Sequence, residues 1–214
     1  MPRGNPSPKL AITVDPEVHA RVVAAAEAEG VSVSAWMTAA ARHALKLREG
    51  LMAVAEWEAE NGAFTPEELD AARQRVGASA LAARAAISMT PVVYDAAVLV
   101  AADRNTRSVW AEHRVRLEGG IVPVVPSPVV VQVSRSPTQV QLRRLLRGCD
   151  VLSLTEQRAH SAGRLLGRVG SRDVVDAVVA DTAAELRADV ATGDRADIRR
   201  LLDAADASGR IIDV

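Results

Sequence analysis

The sequence predicts an α/β protein whose larger part is a parallel five-stranded sheet flanked by helices, preceded by a small strand–helix–helix domain. Residues 91–214 alternate short apolar stretches with helical ones, which is typical of parallel strands covered by helices. Residues 9–47 instead contain one short strand pattern and then two helix patterns. A chain of 214 residues, 49% of them hydrophobic, is long and apolar enough for both parts to fold.

Charge and cysteine content exclude several classes of protein. The formal net charge of −1 excludes a strongly basic nucleic-acid coat, although it leaves room for a local basic face. A single cysteine, Cys149, cannot build a disulfide framework or a cysteine-based zinc site. The longest apolar runs, such as residues 96–102, are far shorter than the ~18 residues of a membrane span, and the N-terminus lacks an apolar signal core. We therefore expect a cytoplasmic protein that does not bind membranes.

The N-terminal region begins with residues 1–8, which are rich in Pro, Gly, Ser and Asn and predict a flexible arm. The alternation that follows predicts a half-buried strand, with one face formed by Lys9, Ala11 and Thr13 and the other by Leu10, Ile12 and Val14. A helix runs from the Asp15-Pro16 cap to Gly30, and Ser32 or Ser34 caps a second helix.

The stretches K-L-A-I-T-V-D-P-E-V and E-G-V-S-V-S-A-W-M-T-A-A-A-R-H-A-L lie in residues 9–47 and resemble the ribbon-helix-helix family. A lone strand is unstable because its backbone groups lack partners, and the resemblance implies that it pairs with the same strand of a second chain. Such a ribbon enters the major groove of operator DNA. The resemblance thus places Lys9, Ala11 and Thr13 against bases, and Ser32 and Ser34 near a phosphate. Alternatively, Lys9 and Thr13 form the solvated face of an edge strand.

Residues 48–76, called the acidic segment below, carry more acids than bases and predict two helices. The first helix ends near Asn61, and Thr65 with Glu68 forms a capping box that starts the second. The segment is either a solvated helical linker or a chain that wraps another domain through Trp57 and Phe64 as anchors. Residues 77–88 are low in complexity and complete a linker region over 48–88, so we expect the next domain to span 89–214.

Acidic residues recur at matching places in the C-terminal alternation. The strands are predicted at residues 91–94, 121–125, 150–154, 189–192 and 210–214. Asp95 follows the first strand and Asp194 the fourth, while Asp173 and Asp176 begin the helix that precedes the fourth. That helix runs antiparallel to its strand, so all four acids are expected at the carboxyl edge, where open α/β sheets bind ligands.

Grouped carboxylates without matching bases predict a cation site, because like charges at short range are unfavourable. Oxygen ligands favour Mg²⁺ or Mn²⁺. Such a site supports attack of an activated water on a phosphate. Taken singly, Asp95 and Asp194 are also explained as helix caps, and Asp173 as a first-turn acid that suits the helix dipole.

The stretches V-V-Y-D-A-A-V-L-V-A, V-P-S-P-V-V-V-Q-V, R-D-V-V-D-A-V-V-A-D-T-A and D-V-A-T-G-D resemble a PIN-domain nuclease across residues 91–214. Most bacterial members are ribonuclease toxins of the VapBC toxin–antitoxin type. The resemblance implies the strand order 3-2-1-4-5 and metal-binding, catalytic roles for Asp95, Asp176 and Asp194, supported by Thr192. The family's acid on the helix after the second strand is replaced here by Gln132.

Gln132 weakens the implied site, because an amide oxygen coordinates a cation but adds no charge. Asp173, one turn before Asp176, is the candidate that compensates as an additional metal ligand. Arg135 lies one turn after Gln132 and is a candidate for holding RNA phosphate. The arginines at 143, 144 and 147 form either a solvated basic face or an RNA guide.

The two resemblances together predict a fused antitoxin–toxin. Such a protein is expected to be a Mg²⁺- or Mn²⁺-dependent endoribonuclease. The acidic segment is expected to inhibit it, with Arg73 or Arg75 reaching the carboxylates. The N-terminal domain is expected to bind operator DNA as a homodimer or higher oligomer. A second hypothesis is a DNA-binding regulator with a catalytically impaired PIN scaffold. A third is a DNA-processing nuclease delivered to DNA by its N-terminal domain.

Overall fold

The computed structural model describes residues 10–80 and 90–214. Three helices come first: α1 (Pro16–Ala28), α2 (Val33–Asn61) and α3 (Pro66–Ala80). The remaining chain alternates β1 (Val92–Tyr94), α4 (Ala96–Asp103), α5 (Arg107–Glu118), β2 (Val124–Pro126), α6 (Ser127–Val133), α7 (Val140–Arg147), β3 (Asp150–Leu152), α8 (Glu156–Val169), α9 (Val174–Leu186), β4 (Asp189–Thr192), α10 (Arg195–Ala204) and β5 (Ile211–Asp213). The predicted arm, Lys9 and residues 81–89 with Met89 lie outside the described residues.

The five strands form one parallel sheet in the order β3-β2-β1-β4-β5, which confirms the predicted parallel sheet and its expected strand order. β1 lies at the centre, and Tyr94 pairs in register with Ala191 of β4. The second strand begins at Val124, later than predicted, because Pro123 has no N–H to donate to a ladder. An apolar run does not by itself show where pairing starts.

Helices cover both faces of the sheet. On one face α4 contacts β1 and β4 and packs against α5 and α7. On the other face α9 contacts β1, β2 and β4 and packs against α8 and α10. The core between these layers is built mainly from Val, Leu and Ala, with Trp110 and Tyr94 as its largest members beside the sheet. This layering places the starts of α4, α9 and α10 at the carboxyl edge.

The chain divides into two compact units, Met1–Ala44 and Leu45–Val214. In the smaller unit, Asp15 caps α1 as predicted, and its carboxylate accepts hydrogen bonds from the N–H groups of Glu17 and Val18. Residues 10–14 form no strand, so the predicted strand is absent from the single chain. The physical reason is that a ribbon strand needs a second strand to satisfy its backbone.

The acidic segment belongs to the larger unit and is not a solvated linker. The second half of α2 buries Gly50, Ala53, Val54 and Trp57. At Gly50 the approach is so close that an added Cβ would lie 2.7 Å from the Cα of Gly148. This is the packing expected of a chain that wraps another domain.

Within the described residues, none of the helices is both long and apolar enough to cross a membrane.

Candidate active site

Asp95 and Thr192 join the ends of two neighbouring strands. Asp95 is 6% exposed, and its Oδ2 accepts a 2.7 Å hydrogen bond from the Thr192 hydroxyl. Its Oδ1 accepts a 2.6 Å bond from the N–H of Ala96 and so caps α4. Thr192 is fully buried, which leaves its hydroxyl few alternative geometries. The Asp95 carboxylate is therefore held in one orientation at the carboxyl edge.

Asp194 is tied to the same hydroxyl from the other side. Its backbone N–H donates to Thr192 Oγ1 at 3.0 Å, so one hydroxyl connects the two acids. The Asp194 carboxylate is exposed. It accepts a hydrogen bond from the N–H of Asp197, so Asp194 caps α10. At Gly193 a Cβ would lie 3.1 Å from that of Ala97, so the end of β4 and the start of α4 approach closely.

Asp176 lies in the electrostatic field of the other acids. Its pKa is raised to about 7, mainly by burial and then, in decreasing order, by the neighbouring charges of Asp173, Asp95, Asp194 and Asp197. No basic side chain in the described parts of the chain forms an ion pair with Asp95, Asp173, Asp176 or Asp194. The structure thus brings the four predicted acids to one edge, where their charge is uncompensated.

The helix-cap interpretation also applies to Asp173. Its Oδ1 accepts bonds from the N–H groups of Val175 and Asp176, at 3.0 and 3.1 Å, and so caps α9. The side chain is exposed and directed to its own helix start. Asp173 affects the other acids at the carboxyl edge through its negative charge, which helps to raise the pKa of Asp176.

The donors at this edge suit a hard divalent cation in chemistry, since all are carboxylate oxygens with unbalanced charge. Within residues 10–80 and 90–214, however, no three His, Cys, Asp or Glu side chains converge as a ready-made metal cage. The Asp194 carboxylate caps α10 and the Asp95 carboxylate caps α4.

Gln132 and Arg135 do not join the carboxylates. Gln132 is exposed near the end of α6, a helix that contacts both α4 and α9. Arg135 follows the end of α6, and its guanidinium donates back to the carbonyls of Val131 and Ser134, at 2.9 and 3.1 Å. Its predicted role in holding a phosphate requires it to leave these partners.

Two further acids, Asp197 and Asp213, contribute to this edge and were not predicted from the sequence. Asp197 lies one turn after Asp194 and helps to raise the pKa of Asp176. Its spacing of three residues from Asp194 could have indicated this. Asp213 ends β5, where the Arg195 guanidinium donates to its Oδ2 at 2.6 Å. Arg195 is therefore bound to Asp213, although it directly follows Asp194.

Trp57 and Phe64 anchor the acidic segment on α5. The Trp57 ring is fully buried and stacks on Phe64 and Trp110, with ring centroids 5.1 and 5.3 Å away. Its indole N–H donates to the side chain of Asn105 at 2.8 Å. The Arg107 guanidinium lies over both Trp57 and Phe64. The two aromatics thus act as anchors within the larger unit.

Arginines of the α/β part pair with acids of the acidic segment. Arg144, with its side chain 8% exposed, binds Glu60 at 2.6 Å and also approaches Glu56. Arg147 pairs with Glu56, and Arg114 with Glu58 at 3.0 Å. Arg144 and Arg147, predicted as part of a basic face or an RNA guide, therefore pair with the acidic segment, a role that the sequence pattern did not reveal.

Arg73 and Arg75, predicted to reach the carboxylates, bind other acids. Arg73 pairs with Asp70 of its own helix at 2.7 Å. Arg75 donates from Nε to Glu112 of α5 at 2.6 Å. Arg75 nevertheless lines one cavity together with Ala97, two residues after Asp95, so α3 extends toward this edge.

The predicted DNA-contacting residues of the described chain are all exposed. Ala11 and Thr13 lie in the unpaired residues before α1. The Ser32 hydroxyl accepts a bond from the N–H of Ala35 at 3.1 Å and so caps α2, while Ser34 lies inside that helix. Of the two predicted caps, Ser32 is the correct one.

Comparisons of the chain with protein-family models, curated proteins and solved structures found no match.

The raised pKa of Asp176 predicts a pH dependence of stability. Between its ordinary pKa near 4 and about 7, the folded chain holds a proton that the unfolded chain releases, so stability falls as pH rises through this window. Asp176→Asn removes the penalty, so we expect unfolding at pH 8 to cost roughly 1–2 kcal/mol more than in the wild type, after allowance for solvent screening. Near pH 4 the variant and the wild type should have the same free energy of unfolding.

Urea unfolding at both pH values measures this effect. Asp181→Asn on the same helix is the matched control and should leave the pH dependence unchanged. An equal gain at both pH values in Asp176→Asn would show that the pKa of Asp176 is not raised in the folded chain.

Proposed function

We propose that the chain is a Mg²⁺- or Mn²⁺-dependent endoribonuclease of the PIN type, fused to an antitoxin-like N-terminal part that restrains it and binds operator DNA. The observation that carries the proposal is the grouping of Asp95, Asp176 and Asp194, from three separate elements, at one sheet edge, with no ion pair to a basic side chain of the described residues. The sheet topology around them is that of an open α/β fold, whose ligands bind at this edge.

Asp95, Asp176 and Asp194 are the residues that would hold the cation. A divalent ion bound there activates a water and stabilises the charge that develops on a phosphate. Thr192 fixes the orientation of Asp95 and the backbone of Asp194, and is a positioning residue. Capping of α4 by Asp95 keeps that carboxylate at the start of a helix, where its charge is favoured.

The smaller unit is proposed to act as a dimer on DNA. Among residues 10–44 only Ala26 is buried, while Leu10 and Ile12 are 86% and 56% exposed. A unit this small with so little buried apolar surface needs a partner for stability. Pairing of residues 9–14 with the same residues of a second chain would cover Leu10 and Ile12 and present Lys9, Ala11 and Thr13 to the major groove.

A cleavage assay of the full chain tests the nuclease proposal. Structured RNA should be cut in the presence of Mn²⁺ or Mg²⁺ and left intact with a chelator. Duplex DNA of matched sequence separates this proposal from a DNA-processing nuclease and should remain uncut. Cleavage that persists after removal of all divalent cations would contradict the proposal.

Gln132 favours a second candidate function, a DNA-binding regulator whose α/β part is a scaffold without activity. The amide supplies no charge, and the described side chains form no ready-made metal cage. Under this alternative the chain binds operator DNA but neither binds Mn²⁺ nor cuts RNA.

A further inference from the structure

Helices α2 and α3 differ in how firmly they are held on the larger unit. The second half of α2 buries four residues, including the fully buried Trp57. Among the described side chains of α3, only Ala72 and Val76 are buried. Although α3 packs along α5, it buries fewer side chains than the second half of α2, so less apolar burial holds it on the unit.

The residues that form polar contacts with α3 also have partners outside α3. Glu112 accepts from Arg75 of α3, but its other oxygen accepts from Arg116 of its own helix at 3.2 Å. Arg107 binds Glu68 of α3, but it also donates to the carbonyls of Asn61 and Ala63. Departure of α3 would therefore leave neither Glu112 nor Arg107 without a partner.

The contacts of α2 are different in this respect. Arg144 is nearly buried, and its carboxylate partners Glu56 and Glu60 both come from α2. Without α2 the guanidinium would keep only a neutral bond to Gln141. Leaving a buried charge with so little compensation is strongly unfavourable, so α2 is a permanent part of the unit.

A cavity of about 600 Å³ lies beside Arg75 of α3. It is bounded by Arg75 of α3, by Glu112 of α5, by Asp213 at the end of β5, and by the face of α4 that includes Ala97 and Val100. Arg75 thus supplies one wall of a cavity whose α4 side begins at Ala97, two residues after Asp95. Departure of α3 would remove this wall and widen the cavity along α4.

We propose that α3 is a lid that detaches from the larger unit on its own, pivoting after Phe64, while α2 and the stacked Trp57 and Phe64 stay in place. Phe64 is the natural pivot because its ring remains in the aromatic stack and its N–H is bound by Glu58 at 3.0 Å. That the lid controls cleavage rests on the proposed nuclease function; that it opens separately does not.

Hydrogen–deuterium exchange of the full chain, read by mass spectrometry, tests the separate opening. Amides in residues 67–77 should exchange at least roughly tenfold faster than those in residues 50–61. Arg75→Ala should speed exchange of 67–77 by a further three- to tenfold or so, while leaving 50–61 unchanged. Exchange of both stretches in one cooperative step, at one rate, would overturn the proposal.

Arg73→Ala is the matched control, because Arg73 lies two residues away on the same helix and pairs only with Asp70 of that helix. It should leave exchange of residues 67–77 unchanged. RNA cleavage by the same variants separates the two claims. Faster exchange in Arg75→Ala without any cleavage supports the lid and contradicts the nuclease, whereas cleavage with unchanged exchange contradicts the lid.

Discussion

Trp57→Ala is expected to lower the free energy of unfolding of the larger unit by about 3–5 kcal/mol, because it removes a fully buried indole. The change breaks the stack with Phe64 and Trp110 and orphans the side-chain oxygen of Asn105. Chemical denaturation of the full chain, followed by circular dichroism, measures the loss. The result would show that the acidic segment stabilises the larger unit.

Trp36→Ala provides the matched control in the smaller unit. Its indole N–H donates to Glu29 at 3.0 Å, within the same unit, so the main unfolding transition of residues 45–214 should not move. If Trp57→Ala changed stability no more than Trp36→Ala did, the acidic segment would be a loosely attached linker.

Asp95→Asn is expected to reduce the rate of RNA cleavage at least ~100-fold. Loss of one main charge-stabilising group at a catalytic site has an effect of this size. Asparagine retains the shape and one of the two acceptor oxygens, so it keeps either the bond from the Thr192 hydroxyl or the cap on α4 while the negative charge is lost. Rates should be measured in the wild type and in the Arg75→Ala background, where the lid opens more often.

Asp203→Asn controls for the removal of an acid elsewhere. Asp203 lies near the end of α10, away from the carboxyl edge, and pairs only weakly with Arg199 at 3.9 Å. It should keep wild-type cleavage. Equal rates for Asp95→Asn and the wild type would remove Asp95 from the catalytic machinery.

Local patterns were sufficient to predict the sheet and the position of the acids. Parallel strands bring their carboxyl ends to one edge, so an acid directly after a strand, such as Asp95 or Asp194, is placed by topology alone. Asp176 followed from the antiparallel direction of α9 relative to β4. The detailed geometry around Thr192 did not follow from the sequence pattern, because it depends on side-chain rotamers.

Partners far apart in the chain could not be predicted. The pairing of Arg144 with Glu60, and of Arg75 with Glu112, joins residues that no local periodicity connects. Arginines and glutamates are each common on solvated faces, so their composition does not reveal which of them meet. The strand predicted at the N-terminus is absent from residues 10–14, because no second strand among the described residues pairs with it.

Binding of Mn²⁺ to the full chain, measured by calorimetry at about pH 8, tests the central claim most directly. The account predicts a site that the wild type and Asp181→Asn both retain and that Asp176→Asn loses or binds at least tenfold more weakly. Binding should also raise the thermal midpoint of the wild type, because a ligand specific to the folded state stabilises it. Failure of the wild type to bind Mn²⁺, or equal binding by Asp176→Asn, would contradict a metal site built on these carboxylates.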